Sequence, residues 1–210
     1  SSKVINFLLK MKMDKKYLGH VMTSGEAAMH AINKKKFGKT FYHLGPDRDI
    51  SVFEKVKDNR TDLESCDFIL CTGLFDDHDK DLKYYKNLLE KHINKKMICT
   101  NPDLIVDRGE KREFCAGSVA KIFEDLGGKV EYFGKPFPNV YNQAADTKNK
   151  KVLCIGDNLK TDIMGANRQN FDSLLITNGI HKEEIRNDKI ENIMSKYRTN
   201  IDYTQSKLKW

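Results

Sequence analysis

Nowhere does an apolar run approach the ~20 residues that a membrane span needs, which excludes an ordinary transmembrane helix. The five cysteines, Cys66, Cys71, Cys99, Cys115 and Cys154, are odd in number and form no Cys-x-x-Cys pair. Neither a disulfide framework nor a zinc ribbon is written into them, and they read as reduced thiols, four of them in or beside apolar segments. Internal repeats and low-complexity stretches are lacking as well. No compact basic stripe with interleaved aromatics appears: the net charge of +7 comes from lysines spread among acids, a solvated surface and not a nucleic-acid face. No apolar stretch behind a basic start marks a signal peptide. The chain opens on Ser1 instead of Met, which leaves its true beginning open. The expected setting is the cytoplasm, with neither membrane nor nucleic acid as a partner.

What is present is an alternation of short β-branched or apolar runs with helical patterns, over a length of 210 residues that suffices for one large or two small α/β units. Val4, Phe7, Leu8 and Met11 fall at helical spacing, and a short strand is expected at 20–22. Thr23 stands three residues before Glu26, a capping-box spacing that opens a helix through Ala27, Ala28 and Ala31 to the lysines at 34–36. Further strands are expected at 40–43, 68–71, 97–100, 130–133, 152–155 and 173–176. Helices are expected at 82–92, 113–126 and 160–168, the second followed by Gly127 and Gly128 where a left-handed cap is wanted. A domain boundary is expected near Gly134.

The strongest chemical signal is an apolar strand from Val152 that ends in Gly156, Asp157, Asn158, Leu159, Lys160, Thr161 and Asp162 before turning helical. A carboxylate at the carboxyl edge of a parallel strand, beside a glycine that admits a ligand to the backbone, is well placed to hold a hard cation. The plainer alternative is that Asp157 caps the helix and Asp162 favours its dipole. About twenty residues upstream, another strand runs into Gly134, Lys135 and Pro136, and the proline restricts the lysine so that its ammonium is held at a strand end. The acids from Asp76 to Asp81 are explained by a loop and a helix N-terminus, and the histidines show no zinc pair. Within 101–112, read as a loop between strand and helix, Asn101, Asp103, Asp107 and Arg108 are candidates for substrate contact.

Strand, Gly-Lys-Pro, helix, strand and Gly-Asp-Asn-x-x-Thr-Asp together resemble the third and fourth motifs of haloacid dehalogenase phosphatases, and more narrowly class IIA, the NagD-like branch. The resemblance extends through Thr100, Asn101, Pro102 and Asp103 and through 114–128. It implies an α/β fold: a Rossmann-like core, incomplete at its N-terminus, with a large inserted α/β cap. Residues 1–11 would be a core segment after the second motif, 12–132 the cap and 133–210 the rest of the core. By resemblance, Asp157 would bind Mg2+, Lys135 would bridge phosphate and nucleophile, and Asp162 would orient Lys135 or a metal-bound water. Asn158, Asn101, Asp103 and Arg108 would serve substrate or phosphate.

The second motif, a phosphate-binding hydroxyl, is expected at or just before Ser1. The first, whose aspartate forms an aspartyl phosphate, has no match before Asp157, because Asp47 to Asp49 follows Gly45 and Pro46 in a loop. The nucleophile strand is central in such cores, so the core after Gly134 should show a gap filled by another chain or an N-terminal fragment, a rearranged pairing of the strands at Val152 and Ser173, or marked disorder. An ordered core with ordinary pairing and no substitute strand would speak against this placement of the first motif. The implied activity is magnesium-dependent hydrolysis of a small phosphorylated metabolite, a sugar phosphate or nucleotide, with homo-oligomers left open. The alternative is a non-catalytic homologue that binds phosphate ligands.

Overall fold

The computed structural model describes residues 2–34, 36–108 and 111–208, with side chains also set aside for Ser2, Lys3, Asp107 and Arg108. It divides at Gly134 and Lys135 into two compact units.

The first unit begins with helix α1 (Ser2–Lys10) and helix α2 (Ser24–Asn33). Thr23 Oγ1 accepts from the Glu26 amide at 3.2 Å and the Glu26 carboxylate accepts from the Thr23 amide at 3.2 Å, the reciprocal pair that its spacing predicts. Residues 20–22 form no strand. They lead into Thr23, whose extended backbone serves the helix cap, so their apolar character goes into packing and not into a ladder.

Four parallel strands follow in the order β1 (Phe41–Leu44), β2 (Phe68–Cys71), β3 (Lys96–Cys99), β6 (Lys129–Tyr132). The register sets Phe41 beside Phe68 and Cys71 beside Cys99. Strands buried on both faces need continuous apolar runs, and Phe68 to Cys71 is buried throughout. One face carries Ile69, Cys71, Met97 and Cys99 beneath helix α3 (Leu82–Leu89) and helix α4 (Ala116–Asp125), which supply Tyr85, Leu89, Val119 and Phe123. Phe41 and Phe68 stack at 5.7 Å, and Phe53 meets Phe41 edge-on at 5.3 Å. Asp81 caps α3 by accepting from the Tyr84 amide at 3.0 Å.

Between β3 and α4 lies an antiparallel pair, β4 (Ile105–Arg108) and β5 (Lys111–Phe114), that sequence reading gave to a loop and the start of a helix. The register offers the reason: with Ile105 opposite Phe114 and Val106 opposite Glu113, two mixed strands find each other where neither has a convincing pattern alone. Helix α4 accordingly starts at Ala116.

The second unit holds helix α5 (Pro138–Ala144) and three parallel strands, β7 (Leu153–Gly156), β8 (Asp172–Ile176) and β9 (Tyr203–Gln205), in that order. A π-helical turn (Leu159–Ile163) leads into α6 (Met164–Gln169), and α7 (Lys182–Asn187) and α8 (Ile190–Tyr197) precede β9. Leu159, Ile163, Leu175 and Ile193 form its core on one side of the sheet. β7 and β8 pair in ordinary parallel register, so the rearranged pairing considered above does not occur. Among the described residues β7 has no partner on its other edge, and Leu153 and Ile155 are 47% and 40% exposed.

Candidate active site

The site in the second unit is assembled by the carboxyl end of β7 and the turn that follows. Gly156 ends the strand, and a Cβ there would collide with the Asp162 carboxyl group, so the glycine permits that side chain to fold back across the strand end. Asp162 is 8% exposed, Oδ2 accepts from the Asn158 amide at 3.1 Å, and Oδ1 pairs with Lys135 Nζ. Burying a carboxylate requires such partners. Lys135 sits where β6 has ended, beside Pro136, and its side chain is about half exposed.

Asp157 lies between Gly156 and Asn158, the two residues that Asp162 touches. Its Oδ2 accepts from the Ile180 amide at 3.1 Å, and Gly179 leaves room for the carboxyl group by having no Cβ. Asn158 Oδ1 accepts from the Lys160 amide at 2.9 Å, capping the π-helical turn, so its side chain is spent on the loop. Lys135, Asp157, Asn158 and Asp162 are thus neighbours within one unit.

Asn101 and Asp103 belong to the other unit. Asn101 Oδ1 accepts from the Asp103 amide at 3.2 Å, and the Asp103 carbonyl accepts from the Gly117 amide at the start of α4, so both hold the turn after β3. Arg108 lies in β4, and its side chain falls outside the described residues, as do Asp107's and the whole of Ser1. Asp47 and Asp49 lie in a 3-10 helix of the first unit that is reached from the end of β1 through Gly45 and Pro46, so a strand does lead toward them, but neither acid stands on the strand end itself.

Two groups beside the site were missed from sequence. The Tyr141 hydroxyl is buried without a partner among the described residues, against Gly165, and burial, Cys154 and Asp162 push its ionisation up. Burial and then Asp162 raise the Cys154 thiol while Lys135 opposes them. A helical-face tyrosine announces neither property in a sequence.

A divalent cation would find Asp157 here: one carboxylate oxygen is taken by the Ile180 amide, the other has no partner among the described residues, and Asp162 is committed to Lys135. Mg2+ keeps several waters and commonly uses one or two protein carboxylates, so this donor set fits as part of a site. Among the described residues no three acids, histidines or cysteines converge as a closed cage.

Residues 132–197 match the family model described as HAD-hydrolase-like. The chain is 25% identical over 180 residues to the 5'-nucleotidase YutF of Bacillus subtilis, covering 81% of this chain and 67% of that protein. A haloacid dehalogenase-like hydrolase of Brucella suis superposes with a TM-score of 0.67 at 29% identity, over 77% of this chain. The chain spans 65% of that hydrolase's length. The p-nitrophenyl phosphatase of Archaeoglobus fulgidus shares the fold, with a TM-score of 0.71 at 13% identity over 98% of this chain and 78% of its own. Among the described residues no helix is long and apolar enough to cross a membrane. Over residues 132–197 the chain is thus similar to the haloacid dehalogenase-like family, and it shares its fold with solved hydrolases and phosphatases of that kind.

Proposed function

We propose that this protein is a class IIA phosphatase that hydrolyses small phosphate monoesters, a sugar phosphate or a nucleotide, with residues 12–132 as its cap. The observation that carries the reading is the arrangement at the end of β7, where a buried Asp162, bonded to the amide of the residue after Asp157, holds the Lys135 ammonium. Phosphoryl transfer gathers charge on the phosphoryl oxygens, and its catalysis is largely positioning and electrostatic stabilisation. Lys135 is half exposed, so its ammonium can be shared between Asp162 and an arriving phosphate. Asp162 keeps that ammonium in place when no substrate is bound. Mg2+ held by Asp157 would add charge neutralisation at the phosphate.

None of these groups can form an aspartyl phosphate with Lys135 and Asp162 already paired and Asp157 given to the cation. The reaction therefore needs a further aspartate as nucleophile, and the 210 residues alone should turn over p-nitrophenyl phosphate negligibly. In a form that carries such an aspartate, Asp157→Asn should cut magnesium-dependent turnover by about 100-fold or more with the circular dichroism unchanged, and Lys135→Ala likewise. Full turnover by Asp157→Asn would remove the cation role. A second reading, a homologue that binds phosphate ligands without hydrolysis, is favoured by one observation: among the described residues no strand before β7 ends in an Asp-x-Asp pair. Rapid turnover by the 210 residues themselves would refute it.

A further inference from the structure

The first unit contains a cavity of ≈ 490 Å³ at the carboxyl end and outer edge of β1, lined among others by Tyr42, His43, Asp47, Arg60, Phe75 and Asp76. Its walls are fixed. Arg60 is tied to the sheet edge, bridging to Phe41, with the Thr61 amide donating to the Phe41 carbonyl at 2.9 Å. Phe75 stacks on Tyr85 at 5.9 Å and meets Tyr84 edge-on, and its amide donates to the Tyr85 hydroxyl at 2.6 Å. His43 is 6% exposed, lies 2.9 Å from Thr72 Oγ1 and is neutral near pH 7, because burial and then Arg60 lower its ionisation to about 4 against the pull of Asp47. Arg60 and Asp47 both therefore act on the same imidazole.

Their charges are otherwise unused. Asp76 is paired with Arg48. Among the described residues no hydrogen bond or ion pair engages the Arg60 guanidinium or the Asp47 carboxylate, and no ion pair within 4.0 Å joins the two. A cation and an anion thus face one cavity across a gap, with aromatic surface beside them. A lone anion would meet Asp47 and Asp77, and a lone cation would meet Arg60. A ligand that carries both charges is opposed by neither.

We infer that the cavity bounded by Arg60, Asp47, Tyr42 and Phe75 binds a small zwitterion of the amino-acid class, its carboxylate on Arg60, its ammonium on Asp47 and its side chain against the two rings. A bulky aliphatic or aromatic side chain suits those walls. The site lies wholly in the first unit and does not depend on the phosphatase reading.

The test titrates the twenty L-amino acids one at a time into the 15N-labelled 210-residue chain and follows amide shifts. The tightest binder is then repeated as its N-acetyl and carboxamide derivatives, each lacking one charge. Saturable shifts at Gly45, Asp47 and Thr61 in the millimolar range are expected, with both derivatives about ten-fold weaker or worse, as for loss of a charge-assisted bond. In Arg60→Gln, the amino acid and its carboxamide should bind alike. The absence of any saturable shift, or equal binding of all three ligands to the unaltered protein, would overturn the inference. Because the derivatives are compared on the unaltered chain, a poorly folded variant does not decide the outcome.

Discussion

Asp162→Asn is the most informative single change in the second unit, because it removes the charge from a buried group while keeping its shape. Two bonds are at stake. The Asn158 amide donates to Oδ2 at 3.1 Å, and a hydrogen bond to a buried charged acceptor is worth about 1.5–3 kcal/mol where a neutral one is worth about 1. The pair with Lys135 contributes less, since the lysine side chain is 54% exposed and water screens it to about 0–1 kcal/mol. Asparagine can still accept from the Asn158 amide, so the expected cost is about 1–2 kcal/mol; alanine orphans that amide and should cost about 2–4 kcal/mol. Hydrogen exchange of the Asn158 amide reads the local effect, which matters because two units need not unfold as one. A double-mutant cycle with Lys135→Met should give a coupling of at most about 1 kcal/mol that shrinks with added salt. An Asp162→Asn protein with unchanged exchange at Asn158, or a coupling of several kcal/mol that salt does not touch, would refute this account.

Two pH effects follow from groups outside that site. His43 has its folded ionisation lowered to about 4 from an ordinary 6.5, so as pH falls through that window the unfolded chain takes a proton that the folded one refuses. The first unit should lose up to about 3 kcal/mol between those values, and thermal melts of His43→Gln should show a flatter acid limb. Glu184 runs from 4.5 down to about 2, held there chiefly by Lys196, then by the Tyr197 hydroxyl at 2.9 Å and His181 Nδ1 at 3.1 Å against desolvation. Its contribution is complete above pH 4.5 and disappears as pH falls through 2, so Glu184→Gln should be relatively least harmful at the acid end of a urea series.

The elements legible in the sequence were those whose signal is local. The Thr23 and Glu26 spacing gives its capping box, and Phe68 to Cys71 is the strand its apolar run predicts. Other strands were displaced by a residue, as at Phe41–Leu44 against an expected 40–43, because a continuous apolar run carries no marker of where pairing begins. The 105–114 hairpin was missed because its stability lies in cross-strand partners, not in either strand's own pattern. The stretch at 20–22 was the opposite error, apolar residues that pair with no strand among the described residues. The cavity beside β1 was out of reach for the same reason: Arg60 reaches it only because the chain returns to bridge Phe41.

The phosphate-site candidates stand between these cases. Asp157 and Asp162 are five positions apart and their loop is readable, and Lys135 stood out by its place before Pro136, but nothing local links it to the two acids, a link that only the resemblance implied. The structure supplies the physical link, a side chain that crosses the end of β7 over Gly156 to reach the lysine. Every bond that holds this cluster, to the Asn158 amide, to Lys135, to Ile180 and to Lys160, is made within residues 135–180. None of them uses the edge of β7 that has no partner among the described residues, so the charge arrangement is set whether or not that edge is covered. Asp162→Asn can therefore be read in the 210-residue chain itself, without turnover: its effect on Asn158 tests the arrangement, while activity tests only what the arrangement is for.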